Sequence, residues 1–178
     1  MNESFNRTTE KGKKRGKILP ALCNLLGTII LLTAIASCLP VTVPRLFGYE
    51  IYHVITGSME PEIPVGSIIY VEKVVPRELQ TDDIIAFHSR DSVITHRVVQ
   101  NNSVEGEITT KGDANAGEDM NAVAYNDVIG RVAKHYPMLG ALMELYSSTM
   151  GKLYLIAFAA CGAMLNLLAG RLRSRRED

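Results

Sequence analysis

The sequence predicts a mainly β fold, an antiparallel barrel-like or sandwich domain that is flanked by two transmembrane helices. Three observations support this fold class. Two long apolar segments without charged side chains lie near the ends of the 178-residue chain. Between them, short β-branched runs of strand length are separated by turn residues. The formal net charge of zero conceals two basic ends and an acidic centre.

The amino-terminal element is a basic segment, residues 1–17, that we expect in the cytoplasm. It carries six basic and two acidic residues, a net charge of +4. Residues 18–43 follow without a charged side chain and are rich in Leu, Ile and Ala. Because a helix of about 20 apolar residues crosses a hydrocarbon core of about 30 Å, we predict a transmembrane helix over 18–43.

A secretory signal sequence is an alternative interpretation of this first apolar segment. The run Ile35-Ala36-Ser37-Cys38 looks like a lipobox, and cleavage there would leave Cys38 as a lipidated amino terminus. The segment continues through Val43, however, and is longer than the apolar core of a signal peptide, which has about 7–15 residues. Its length therefore favours a spanning helix.

The second apolar segment covers residues 153–170. Its length is near the lower limit of about 17 residues for a spanning helix. Lys152 precedes it, and four arginines follow it in the tail of residues 171–178. A basic flank of this kind is typical of the cytoplasmic end of a transmembrane helix, so we predict a second span and a cytoplasmic tail. A buried terminal helix of the central domain is the alternative.

The central part, residues 44–150, has eight basic and fifteen acidic residues, a net charge of −7. With both basic ends in the cytoplasm and two crossings, the positive-inside rule places this acidic domain on the exoplasmic side of a multi-pass membrane protein. The cysteines Cys23, Cys38 and Cys161 all lie in the apolar segments. The exoplasmic domain therefore has no disulfide framework and depends on its apolar core.

Several runs within this domain have the length and the β-branched composition of strands. Turn residues such as Pro64-Val65-Gly66 separate them, which favours antiparallel connections. The predicted strands are Ser67–Val71, Asp83–Phe87, Ser92–Val99, Glu107–Thr110 and Asp127–Val132. For residues 136–146, the sequence leaves an interfacial amphipathic segment and a core-packed helix equally open.

Hydrolysis by an activated side chain is the chemistry that this domain offers. Its histidines have no Cys or acidic partner at metal-ligand spacing, and it lacks a glycine-rich phosphate loop, so we expect neither a metal nor another cofactor. A serine hydroxyl reacts only when a base takes its proton. The candidate groups are Ser58 after Gly57, His96 between Ile94 and Val98 on one strand face, and Asp113 and Asp119 in one loop.

Six motifs follow one another through nearly the entire central domain. They are Gly57-Ser-Met-Glu-Pro61, Val65-Gly-Ser67, Asp83-Ile-Ile-Ala-Phe87, Thr95-His-Arg-Val98, Thr110-Lys-Gly-Asp-Ala-Asn115 and Ile129-Gly-Arg-Val132. This series resembles the type I signal peptidases, in the endoplasmic-reticulum-type branch that is also found in archaea and spore-forming bacteria. In that branch a histidine takes the position that a lysine holds in the common bacterial enzymes.

The resemblance implies a role for each candidate residue. Ser58 is expected to be the nucleophile, His96 the general base and Asp113 its acidic partner. Asp119 matches a second acidic position of the branch and is expected to share or replace that role. Ile55 and Met59 lie beside the nucleophile in the sequence and are expected to line shallow pockets for small substrate side chains.

Two positions depart from the family pattern. Ser67 stands where an Asp commonly follows the Gly, and Asp82 precedes Asp83 where the family often has Gly. Both positions lie in predicted turns, so they bear on the ends of strands and leave the candidate Ser, His and Asp intact.

The resemblance also implies a function, that of a membrane-anchored serine endopeptidase that removes signal peptides from exported preproteins by cutting after small residues. We then expect preproteins and the lipid bilayer as partners, an association with the secretion translocon, and no nucleic acid. The carboxy-terminal span, which endoplasmic-reticulum relatives usually lack, favours a prokaryotic plasma membrane. A Ser-Lys peptidase that uses Lys73 or Lys111 and a non-catalytic β module for adhesion or assembly are the alternatives.

Overall fold

The structure is a computed structural model that describes residues 3–90 and 92–174, with side chains from residue 18 onward. It divides into two compact units, of which one contains the terminal segments up to Leu39 and from Ser148, and the other is Pro40–Ser147. The α-helices of the described residues are α1 (Glu3–Leu46), α2 (Gly140–Ser147) and α3 (Thr149–Ser174).

The long helices α1 and α3 contain the two predicted spans. By length and composition, Ile18–Leu46 and Thr149–Ser174 are able to cross a membrane, with mean hydropathies of 2.2 and 1.9 in their apolar windows. Both helices are longer than the predicted 18–43 and 153–170. The backbone hydrogen bonds of a helix continue past its last apolar residue into the polar flanks, and Arg171 and Arg173 accordingly lie in the last turn of α3.

The unit Pro40–Ser147 is built on one antiparallel sheet. Its seven strands lie in the spatial order β1-β2-β7-β3-β4-β5-β6, so the last strand in the sequence lies between β2 and β3. The strands are β1 (Glu50–His53), β2 (Ile68–Glu72), β3 (Ile84–Ser89), β4 (Ser92–Asn102), β5 (Glu107–Lys111), β6 (Val123–Ala124) and β7 (Val128–Tyr136). Short 3-10 turns at Pro76–Glu78 and Tyr125–Asp127 precede β3 and β7.

The antiparallel β prediction is confirmed, and each predicted strand corresponds to a strand of the sheet. The sequence did not indicate β1 and β6. Strand β1 contains a single β-branched residue, Ile51, and the two residues of β6 are too few to show a strand pattern. Closure into a barrel is not found. Within the described residues, β1 pairs only with β2 and β6 only with β5, so these strands are the open edges of the sheet.

Apolar clusters lie on both faces of the sheet. Strand β3 contributes to both, because successive side chains of a strand point to opposite faces. One cluster comprises Leu79, Ile85, Phe87, Val98, Ile108 and Val123. The other comprises Met59, Ile63, Ile69, Val71 and Ala86. Met59 directly follows Ser58 in the sequence. The packing of Met59 in this cluster therefore attaches the turn that contains Ser58 to the sheet.

The segment that the sequence left open, residues 136–146, contains the end of β7 and most of α2. Gly140, the first residue of α2, is buried, and its N–H donates a hydrogen bond of 2.8 Å to the carbonyl oxygen of Gly66. The short helix α2 packs against β1. These contacts favour a helix that is packed on the sheet.

Candidate active site

The imidazole of His96 is buried on β4 and hydrogen-bonded to a carboxylate. His96 is 7% exposed, and the edge of its ring contacts Phe87, with ring centroids 6.1 Å apart. Its Nδ1 lies 2.5 Å from Oδ2 of Asp119. An acidic group at Nδ1 fixes that nitrogen as the N–H donor and leaves Nε2 free to accept a proton.

Ser58 lies in the turn that follows β1, and its backbone is joined to the loop after β5. The carbonyl oxygen of Ser58 accepts a hydrogen bond of 2.9 Å from the N–H of Ala114. A Cβ at Gly112 would lie 2.7 Å from the same oxygen, so only glycine permits this approach. The Gly112-containing motif therefore holds the turn of Ser58 in place.

A cavity of about 470 Å³ connects the candidate groups, since Ser58 and His96 both line it. Ile55 and Met59, the expected substrate-binding residues, line it as well. They differ in exposure, because Ile55 is 75% exposed and Met59 is 1% exposed. Met59 therefore lies in the apolar core at the floor of the cavity, and Ile55 lies at its rim. Asn115 also lines the cavity.

Tyr52 is a further ionisable group at this cavity. Its hydroxyl donates a hydrogen bond of 2.6 Å to Glu50. Burial, this hydrogen bond and the negative charge of Glu50 together raise the pKa of Tyr52 to about 12. The phenol is therefore protonated near neutral pH and does not compete with His96 as a base.

Asp113 contacts an arginine instead of His96. Its two carboxylate oxygens accept hydrogen bonds of 2.8 and 2.7 Å from Nε and Nη2 of Arg97, and the third donor of Arg97, Nη1, reaches the carbonyl oxygen of Asp82 at 2.9 Å. The hydrogen bonds that Arg97 donates to Asp113 are the main cause that raises the pKa of Arg97. The structure thus brings Ser58, His96 and Asp119 to one region and gives Asp113 a different partner.

The lysines of the Ser-Lys alternative lie elsewhere. Lys73 is an exposed residue 3.6 Å from Glu50. Lys111 lines a separate cavity of about 540 Å³, together with Arg97 and Asp113. Neither lysine is among the described residues that line the cavity of Ser58.

The two departures from the family pattern have a local explanation. Asp82 has a φ of 74°, a left-handed conformation that glycine adopts most easily and that Asp tolerates better than most residues. Ser67 is fully buried, and its hydroxyl donates a hydrogen bond of 2.6 Å to the carbonyl oxygen of Pro64. A carboxylate cannot donate this bond, so the serine closes the turn in a way that an ionised Asp could not.

Three further residues of the site, Arg97, Thr110 and Asn115, lie within the sequence motifs, but the sequence alone did not predict a role for them. The position of Arg97 next to His96 could have indicated its partner. Adjacent strand residues point to opposite faces, so the two side chains can each bind a different one of the two loop carboxylates. For Thr110 and Asn115 the sequence contained no such signal. The contact of Thr110 with Asp119 and the position of Asn115 at the cavity both depend on how the loop after β5 folds back.

Residues 25–115 match the family model described as signal peptidase, peptidase S26. The matched range covers half of the chain and includes the turn of Ser58, strand β4 and the motif that contains Gly112. This chain therefore belongs to the signal peptidase, peptidase S26 family.

Curated relatives carry names from the same family. Signal peptidase I W of Bacillus subtilis is 38% identical over 89 residues, which cover 48% of this chain and 47% of that protein. The signal peptidase complex catalytic subunit of Neurospora crassa is 30% identical over 106 residues, 53% of this chain and 62% of that protein. The corresponding subunit of Zygosaccharomyces rouxii is 28% identical over 127 residues, 64% and 75% of the two chains. The match thus covers less than two thirds of the length of the first two relatives.

Proposed function

We propose that this chain is a membrane-anchored serine endopeptidase that removes signal peptides from exported preproteins and cuts after small residues. One observation carries the proposal: Ser58 and His96 line one cavity, and Asp119 binds His96 through Nδ1, in a chain of the signal peptidase family. A hydroxyl and an imidazole at one cavity, with a carboxylate bound to the imidazole, are the groups that Ser-His-Asp hydrolysis uses.

In the proposed reaction, Oγ of Ser58 attacks the carbonyl carbon of the scissile peptide bond while Nε2 of His96 accepts the hydroxyl proton. The same nitrogen then gives that proton to the leaving amine, and an acyl group remains on Ser58. A water molecule then attacks the acyl carbon while Nε2 of His96 takes its proton. The bond to Oγ breaks, the new carboxyl end is released, and His96 returns the proton to Oγ of Ser58. Asp119 holds the imidazole in the correct tautomer and stabilises its positive charge.

The negative charge that develops on the former carbonyl oxygen needs a preorganised donor. We assign this role to the backbone N–H of Ser58, whose turn is fixed by the bond between its carbonyl oxygen and Ala114. The apolar side chains of Ile55 and Met59 border the same cavity and are proposed to accept the small side chain that precedes the cleavage site.

Asp113 is proposed to act as a positioning residue. Its bidentate contact with Arg97 joins the loop after β5 to β4 on the strand face opposite His96. The same loop carries Ala114, which binds Ser58, and Asp119, which binds His96. The ion pair thereby keeps the nucleophile and the base at a fixed separation.

The two apolar helices are proposed to span a prokaryotic plasma membrane, with the acidic domain of residues 44–150 on the exoplasmic side. A signal peptide has an apolar core that itself lies in the bilayer. Tethering the peptidase to the same surface raises its effective concentration near the cleavage site. An association with the secretion translocon is proposed on the same ground, because preproteins emerge there.

The decisive experiment is cleavage of a purified preprotein by the full-length chain in detergent, followed by gel mobility and mass spectrometry. We expect Ser58→Ala and His96→Ala each to lower kcat by about 10⁶-fold. Complete processing by Ser58→Ala would refute the proposal. Cleavage that survives His96→Ala would instead support the Ser-Lys alternative, and a wild-type chain that cuts no preprotein would support the non-catalytic module.

A further inference from the structure

The buried hydroxyl of Thr110 donates a hydrogen bond to Asp119, the candidate catalytic acid. Thr110 is 0% exposed on β5, and its Oγ1 donates a hydrogen bond of 2.7 Å to Oδ2 of Asp119. The same oxygen lies 2.5 Å from Nδ1 of His96. Two donors, one hydroxyl and one imidazole N–H, therefore meet at a single carboxylate oxygen.

Thr110 also binds the backbone of Asp119. Its carbonyl oxygen accepts a hydrogen bond of 2.8 Å from the N–H of Asp119. Two hydrogen bonds of one threonine thus close the loop between these residues: its carbonyl oxygen accepts from the main chain of Asp119, and its hydroxyl donates to the side chain. The other ties of the loop, at Asp113 and Ala114, do not reach the carboxylate of Asp119.

We propose that Thr110 is a positioning residue that holds the Asp119 carboxylate in the orientation that His96 requires. The proposal rests on the proposed function and adds a member to its site. The side chain of Asp119 is 23% exposed, so water has access to it, and rotation about the last bond of an aspartate meets only a broad, shallow preference. A charge-assisted hydrogen bond from a buried hydroxyl restricts that rotation.

The position of Thr110 in the sheet suits this role. Thr110 pairs with Val98 on β4, and Val98 lies two residues beyond His96 on the same strand face. The regular pairing of Arg97 with Lys111 and of Val98 with Thr110 lies on the His96 side of a register shift after Val98, and it sets the distance from the hydroxyl to the imidazole. Without the hydroxyl, Nδ1 of His96 is the remaining one of these two donors. The carboxylate is then able to rotate away from His96 toward solvent.

The test compares variants at this position in the full-length chain with a preprotein substrate. Thr110→Val keeps the shape and removes the donor. We expect kcat to fall by about 10- to 100-fold, as when a group that orients a metal-ligating side chain is lost, while KM changes less than about twofold. Thr110→Ser keeps the donor and is expected to retain kcat within about threefold. Thr109→Val, on the opposite face of β5, is the matched control and is expected to behave as wild type.

A spectroscopic measurement tests the same idea without cleavage. A strongly hydrogen-bonded Nδ1 proton of His96 gives a proton resonance far downfield, which His96→Ala identifies by its loss. We expect Thr110→Val to shift or broaden this resonance, and Thr110→Ser and Thr109→Val to preserve it. Because the resonance does not depend on turnover, it still tests Thr110 if the wild-type chain cuts no preprotein, an outcome that would count against the proposed function alone.

Thermal unfolding of each variant checks that the variant is folded. If Thr110→Val unfolds, Thr110→Cys fills a similar volume with a weak donor and is expected to lower kcat and shift the resonance in the same direction. The proposal is overturned if a folded Thr110→Val or Thr110→Cys variant has the wild-type kcat and an unchanged His96 resonance, or if Thr110→Ser loses as much activity as Thr110→Val.

Discussion

At the scale of single residues, the site depends on two neighbours on β4 that point in opposite directions. His96 binds Asp119 and Arg97 binds Asp113, so each of the two acids in one loop has a partner on its own strand face. The two acids therefore differ in their surroundings, although the sequence presents both as loop aspartates with similar neighbours.

This division predicts different effects for the two Asp→Asn substitutions. Asp119→Asn removes the group that fixes the tautomer of His96, and we expect kcat to fall by about 10⁴-fold with little change in stability. Asp113→Asn weakens the contact with a half-buried arginine, and we expect the free energy of unfolding to fall by about 1–3 kcal/mol while kcat falls less than about tenfold.

Preprotein cleavage and thermal unfolding, measured on the same two preparations, check these expectations. Arg97→Lys is the matched control for Asp113, because a lysine keeps the charge but cannot make the bidentate contact. A larger loss of kcat in Asp113→Asn than in Asp119→Asn would reverse the assignment of the acids.

At the scale of elements, the sequence was informative where β-branched runs of strand length stand between turn residues. Strands β2, β3, β4, β5 and β7 were predicted for that reason, and the short edge strands β1 and β6 were not. The candidate Ser and His followed from motifs in a fixed order. The choice between Asp113 and Asp119 did not, because it depends on the path of a loop whose shape is set by contacts with β4 and with the turn of Ser58.

Strand β7 contains a glycine whose small size the neighbouring strand requires. A Cβ at Gly130 would lie 2.1 Å from the carbonyl oxygen of Glu72 on β2, a backbone atom that has no room to move within the sheet. We expect Gly130→Ala to lower the free energy of unfolding by about 1–3 kcal/mol or more, as overpacking does.

Thermal unfolding of the full-length chain in detergent measures this effect. Gly117→Ala is the control, because nothing lies within 4 Å of a Cβ at that position, and its unfolding temperature should match the wild type. Equal stability of Gly130→Ala and Gly117→Ala would contradict the close packing of β2 against β7.

At the scale of the whole molecule, the charge pattern makes a prediction about topology. The acidic centre and the two basic ends place Met120 outside and the end of α3 inside. In a cysteine-free background, Met120→Cys at this fully exposed position should react with a membrane-impermeant maleimide on intact spheroplasts. Ser174→Cys should react only after the membrane is permeabilised. The opposite labelling pattern would invert the proposed orientation.

The central place of β7 has a consequence for the synthesis of the protein. Without β7, the sheet consists of two separate pieces, β1-β2 and β3 to β6. The turn of Ser58 follows the first strand of one piece, and His96 belongs to the other. The two halves of the site are therefore joined through the sheet only when residues 128–136 have reached the same compartment, shortly before α3. On the proposed topology, a chain whose β7 has not yet been translocated lacks this connection through the sheet between its nucleophile and its base, and we expect it to gain activity only when almost all of it has been made.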